Sequence, residues 1–152
     1  MEYQCEIKEM PAQDTLCVRV RAKAQDLPQV MGRWFGEIGR YLVELRQPPT
    51  GMPYSGYFNM DIQDMDVEIG FPVGKPLPGK GDIQPGTLPG GRMAAVMHFG
   101  SYDTLEAAYH ALQAYVQVQG LTATGVWYEL YMNDPNQVAP EQIQTLVLMP
   151  LK

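Results

Sequence analysis

The chain has 152 residues, 45% of them hydrophobic, with a net charge of −6 at pH 7 and a pI near 4.8. That suffices for one domain with a real core, and the acidic balance excludes the basic face that non-specific nucleic-acid binding needs. No apolar run approaches the roughly 20 residues of a membrane span, and the charged start MEYQCEIKEMP lacks the apolar stretch of a signal peptide. A cytoplasmic protein without membrane contact is expected, with Cys5 and Cys17 as reduced thiols rather than a disulfide framework.

EYQCEIKEM reads as an N-terminal strand added ahead of a repeated unit. TLCVRVRAKA, from Thr15, alternates like a half-buried strand, with Val18 and Val20 on one face and Arg19 and Arg21 on the other. In DLPQVMGRWFGEIGRYLVEL, Leu27, Val30, Trp34, Ile38, Tyr41 and Leu45 recur at helical spacing, Asp26 is placed to cap and Pro28 suits the first turn. Gly32, Gly36 and Gly39 weaken this helix intrinsically and are spaced to admit another backbone or a ligand. QPPTG ends it, and YSGYFNM and DMDVEIGFPV come next as two strands around a turn at 61–64.

GKPLPGKGDIQPGTLPGG, residues 74–91, is more than half Gly and Pro. It excludes a helix or a central strand and acts as a connector. It separates a first half, about 1–73, from a second half, 92–152. The order then repeats. GRMAAVMHFG is a strand. SYDTLEAAYHALQAYVQVQG is a helix with a Ser101 or Asp103 cap, a stripe of Leu105, Ala108, Leu112, Tyr115 and Val116, and a Gly120 stop. GVWYELYMN and IQTLVLMPL are two more strands. The sequence therefore predicts an α+β fold: a duplicated β-α-β-β unit with pseudo-two-fold symmetry, a largely antiparallel sheet, helices on one side and a ligand cleft between the halves.

Within GVWYELYMNDP an acid, Glu129, stands among Val126, Trp127, Tyr128, Leu130, Tyr131 and Met132. Alternation puts Trp127, Glu129 and Tyr131 on one strand face. A buried carboxylate is costly without compensation, and there is no Lys or Arg from Met93 to Leu151. Either Glu129 points to water, or a partner comes from the first half, or a ligand brings the positive charge.

Three segments carry a family resemblance. HFGSYDTLEAAYHAL is similar to the H-x-G-x-Y-x-x-L segment that opens the second helix of the GyrI-like small-molecule-binding domain. WYELYMNDP resembles that family's glutamate strand, and DVEIGFPV its first-half strand. The similarity runs from Tyr3 to Leu151. It implies tandem β-α-β-β units of SHS2-like form, and a stand-alone relative of the effector-binding domains of multidrug-sensing regulators. By motif position Glu129 is then the glutamate that meets lipophilic cations in an aromatic pocket. Burial raises the pKa of such an acid and a bound cation lowers it again. Trp127, Tyr131, Trp34, Tyr54 and Tyr57 are candidate stacking residues; Phe71 lines the floor or belongs to the core. Glu68 shares its strand face with Asp64, Asp66 and Gly70, a solvated face unless it turns inward as a second carboxylate.

The expected partners are lipophilic, often cationic, polycyclic compounds, bound for sequestration or sensing. The alternatives are a hydrolase of cyclopropanoid or other electrophilic toxins with Glu129 as its catalytic base, and a gyrase-inhibitor-like interaction protein. No helix-turn-helix precedes Tyr3 or follows Lys152, so direct operator binding is not expected. No cofactor or metal is implied. His98 and His110 lack ligand spacing, and His98 is expected to be structural. GKPLPGKG lacks the phosphate-loop pattern, and no G-x-S-x-G is present.

Overall fold

A computed structural model describes residues 3–152. The elements run β1 (Cys5–Met10), β2 (Gln13–Ala22), α1 (Leu27–Leu45), β3 (Tyr54–Tyr57), β4 (Met65–Pro72), β5 (Gln84–Leu88), β6 (Gly91–Phe99), α2 (Leu105–Val118), β7 (Trp127–Tyr131) and β8 (Gln144–Pro150). They form two compact units. The first holds Pro11–Gly90, and the second holds residues 3–10 with 91–152.

In the first unit the antiparallel strand order is β3-β4-β2-β5. Leu16 and Val18 from β2 and Val67 and Ile69 from β4 pack with Trp34, Ile38, Tyr41 and Leu42 of α1, forming the core. Period-two alternation turns the intervening residues Arg19, Asp66 and Glu68 to the opposite face. There Arg19 grips Asp66 with two hydrogen bonds of 2.6 and 3.0 Å, and Arg21 grips Asp64 at 3.1 and 2.7 Å. The segment around the connector contributes β5 next to β2, with Pro85 inside it. A proline removes a ladder donor, so this strand stands at an edge.

The second unit has the order β1-β6-β8-β7, also antiparallel. Helix α2 buries Leu105, Ala108, Leu112 and Val116, the expected stripe, with Tyr115 half-buried beside it. The strands adjacent in sequence are thus exchanged: β1 precedes β2 but completes the sheet of β6, and β5 precedes β6 but completes the sheet of β2. Both helices close alike. Arg46 is left-handed with φ 57°, and Gln47 N–H donates to Leu42 O at 3.0 Å; Gly120 has φ 69°, and Leu121 N–H donates to Val116 O at 3.1 Å.

Both helix starts differ from expectation. A 3-10 turn, Ala24–Asp26, precedes α1, and the Asp26 side chain makes no cap hydrogen bond. Another, Tyr102–Thr104, precedes α2, where neither Ser101 nor Thr104 caps through its side chain. The tighter turn satisfies first-turn groups by i→i+3 bonds instead. The glycines of α1 also behave differently: no atom lies within 4 Å of a Cβ built on Gly32, Gly36 or Gly39. They admit nothing closely among the described residues. Among those residues no helix is long and apolar enough to cross a membrane.

Candidate functional site

The second unit carries a buried carboxylate on the α2 side of its sheet. Glu129 is 6% exposed, preceded on its strand by Tyr128 at 4% and Trp127 at 5%. Two phenols hold it. Tyr131, next on the same strand face, donates its hydroxyl to Oε1 at 2.8 Å. Tyr109, from α2, donates to Oε2. Such bonds to an ionised acceptor are the strong kind and offset part of the cost of burial.

Aromatic rings surround these phenols. Tyr109 and Trp127 have centroids 4.7 Å apart at 51°. Tyr102, in the 3-10 turn before α2, meets Tyr131 edge-on at 5.8 Å and is 41% exposed. Burial, then the negative charges of Glu129 and Asp134, push the Tyr102 phenol above its ordinary pKa. The Trp127–Glu129–Tyr131 face expected from alternation is therefore present, and α2 adds Tyr109.

Thr145 of β8 lies directly opposite Tyr131, and His98 of β6 directly opposite Thr145. The Thr145 hydroxyl is buried and makes no hydrogen bond among the described residues. His98, 1% exposed, is fully engaged: Nδ1 lies 2.9 Å from the Tyr3 hydroxyl, and Nε2 lies 3.1 Å from Ser101 O and 2.9 Å from Thr104 Oγ1. Since a carbonyl only accepts, Nε2–H donates to Ser101 O. His98 is a structural histidine that ties the N-terminal segment to the turn before α2.

The first unit carries a second carboxylate, on the sheet face away from α1. Glu68 is half-buried and accepts from Tyr54 at 2.7 Å; the Tyr54 hydroxyl also lies 3.2 Å from Thr15 Oγ1. Burial raises the Glu68 pKa, opposed by the Tyr54 hydrogen bond and the Arg19 charge. The same burial, with Glu68 nearby, pushes the Tyr54 phenol far up and the Cys17 thiol up to about 11. Gly70, between Cys17 and Tyr54 across the ladder, makes this packing possible: a Cβ there would lie 2.6 Å from Leu16 O and 2.8 Å from Cys17 Cβ. So Glu68 departs from its neighbours Asp64 and Asp66, whose pKa values are lowered by hydrogen bonds to Arg21 and Arg19.

The eight sequence-predicted residues thus fall into three places. Trp127, Glu129 and Tyr131 come together in the second unit. Tyr54 and Glu68 come together in the first. Trp34, Tyr57 and Phe71 belong to the α1 side of the first unit. There Trp34 is 8% exposed in the core under the Arg33 guanidinium, Tyr57 accepts from Ser55 Oγ at 3.2 Å, and Phe71 packs edge-on against Phe35 at 5.5 Å. Tyr109 was not predicted, although its spacing from Leu105, Leu112 and Val116 places it on the buried stripe. Among the described residues no group of three His, Cys, Asp or Glu side chains could hold a metal ion.

The model of the GyrI-like small molecule binding domain family matches residues 3–152. The chain belongs to this family. The GyrI-like frame is also that of solved structures. The C-terminal domain of EcmrR superposes with a TM-score of 0.90 at 22% identity, covering 100% of this chain and 99% of that one. EcmrR in its complex with DNA superposes at 0.86 and 22% identity, but this chain spans only 57% of the EcmrR chain there. SAV2435 bound to tetraphenylphosphonium superposes at 0.71 and 16% identity, covering 100% of this chain and 94% of that one. At these identities the likeness is one of fold. A search of the curated proteins gives no match.

Proposed function

We propose that this GyrI-like protein binds lipophilic cations at Glu129, with Trp127, Tyr131, Tyr109 and Tyr102 as the aromatic surface. The observation that carries this is the carboxylate itself: 6% exposed, gripped by the Tyr109 and Tyr131 phenols, beside an indole. An acid held under aromatic rings offers a countercharge in surroundings where water competes poorly, and ring faces attract the same cation. Flat aromatic contacts also tolerate many shapes. Family membership supports a small-molecule role, and a protein of similar fold is bound to tetraphenylphosphonium, a lipophilic cation. Tyr54 and Glu68 are a second phenol–carboxylate pair, in the first unit.

The test is fluorescence anisotropy of a rhodamine-type cationic dye, beside a neutral dye of similar shape. Saturable binding of the cation alone supports the proposal. Equal binding of both dyes, or of neither, removes the charge role from Glu129.

A further inference from the structure

Strand β1 stands at one end of its sheet, paired only with β6 among the described residues. Such a strand presents unpaired backbone groups and is a template for another strand unless it is blunted. Strand β5, the end strand beside β2 in the first unit, is blunted by Pro85. No proline interrupts Cys5–Met10. Beside β1, on the α2 side, runs a shallow groove of about 600 Å³ lined mainly by Cys5, Ala111, Ala114, Tyr115 and Val118. Val118 is 82% exposed there. An unpaired edge and an uncovered apolar groove thus lie together.

The charges of β1 specify what fits. Glu6 and Lys8 both point away from the α2 side, 3.3 Å apart and largely exposed. In an antiparallel pair of identical strands about a two-fold axis normal to the sheet, one residue faces its own copy across the axis, because facing side chains must share a face. Centring on Glu6, Lys8 or Glu9 sets like charges opposite each other, which is destabilising. Centring on Ile7 sets Glu6 against Lys8 twice, once on each side of the axis, and Glu9 against the uncharged Cys5, so no like charges face each other. The edge is self-complementary in that register. The same axis keeps both α2 helices on one side of the joined sheet, so the two grooves adjoin and Val118 is covered.

We propose that the chain forms a two-fold dimer, β1 against β1, centred on Ile7. The partner is a second copy of this chain. The association is independent of Glu129 and of any ligand there.

Sedimentation velocity over the micromolar range tests it, with wild type, Glu6→Lys, Lys8→Glu, the double reversal and Val118→Asp. These sites are exposed, so the variants fold. The expected result is a wild-type dimer that each single reversal weakens about tenfold or more, as two facing pairs turn from attraction to repulsion. Equimolar mixing of the two single variants restores a dimer, because the two lysines on the edge of the Glu6→Lys chain then face the two glutamates on the edge of the Lys8→Glu chain. The double reversal also dimerises. Val118→Asp weakens the dimer. A wild-type monomer at every concentration, or a dimer indifferent to the reversals, overturns the proposal. So does a monomer that takes up an apolar dye lost in Val118→Asp, which assigns the groove to a small ligand.

Discussion

The two units share an order of elements and differ along one line of their helix-facing sides. Counting from the last paired residue of each hairpin, Tyr57 in β3 answers to Tyr131 in β7. Across the ladder from Tyr57 lie Val67 and Val20; across from Tyr131 lie Thr145 and His98. Two residues before each tyrosine stand Ser55 and Glu129. The first unit fills these places with a small hydroxyl and two valines and builds an ordinary core. The second unit fills them with an acid, a threonine and a histidine, and adds Tyr109 from α2. The same frame folds in the first unit without an acid at this place, so the frame does not require Glu129, whereas His98 ties the N-terminal segment to the turn before α2. Buried polar groups held against their desolvation cost mark the place where sequence serves something besides folding.

The largest break in this comparison comes from making the first unit imitate the second. Ser55 is 0% exposed, and the first unit has no counterpart of Tyr109 in the Met31 place of α1. Ser55→Glu therefore buries an acid without a counterpart of Tyr109, and it is expected to cost about 3 kcal/mol or more at neutral pH. Denaturant unfolding measures this, and acidification should recover part of the loss as the new acid is protonated. Next in size, Tyr109→Phe and Tyr131→Phe each remove one hydroxyl from a buried carboxylate and are expected to cost about 1–3 kcal/mol each. Their effects should be non-additive, because both act on one group.

Thr145→Val makes the second unit resemble the first in the opposite sense. The orphaned hydroxyl is replaced by a methyl group, as at Val67, and stability is expected to rise by about 1 kcal/mol. The smallest effect is a pH dependence. The folded state holds Glu68 above its ordinary pKa, so it binds that proton more tightly than the unfolded chain does. The stabilisation from this proton is fully present below the unfolded pKa and is lost as pH rises through the folded one. Asp64 and Asp66, with lowered values, act oppositely: their contribution is present above the unfolded pKa and is lost as pH falls through the folded one. Glu68→Gln should remove only the first component, seen as an unfolding midpoint that gains less than wild type, relative to neutral pH, on acidification into the carboxylate range.

Much of the frame was legible because alternation and helical spacing are local. Val18 and Val20 against Arg19 and Arg21, and Leu105, Ala108, Leu112 and Val116, each fix a face without reference to the rest of the chain. Glu129 with Trp127 and Tyr131 was legible for the same reason. The misses are tertiary. Tyr109 meets Glu129 only when α2 lies on its sheet, and an aromatic on an apolar stripe reads as core. Tyr54 and Tyr57 are three apart in a strand, so they face opposite sides; treating both as walls of one site set the period of two aside. The exchange of β1 and β5 left no local signal, because pairing partners far apart in sequence are invisible to periodicity. The helix starts were misjudged because 3-10 turns, rather than Asp26 or Ser101, open both helices.

The most direct test is titration calorimetry of tetraphenylphosphonium against wild type and Glu129→Gln, with neutral triphenylphosphine oxide as the reference ligand. Gln keeps the shape and an acceptor for the tyrosine hydroxyls while removing the charge. If Glu129 supplies the countercharge, the substitution weakens the cation about tenfold or more and leaves the neutral ligand nearly unchanged. Equal losses for both ligands, or a cation affinity indifferent to Glu129→Gln, would contradict it.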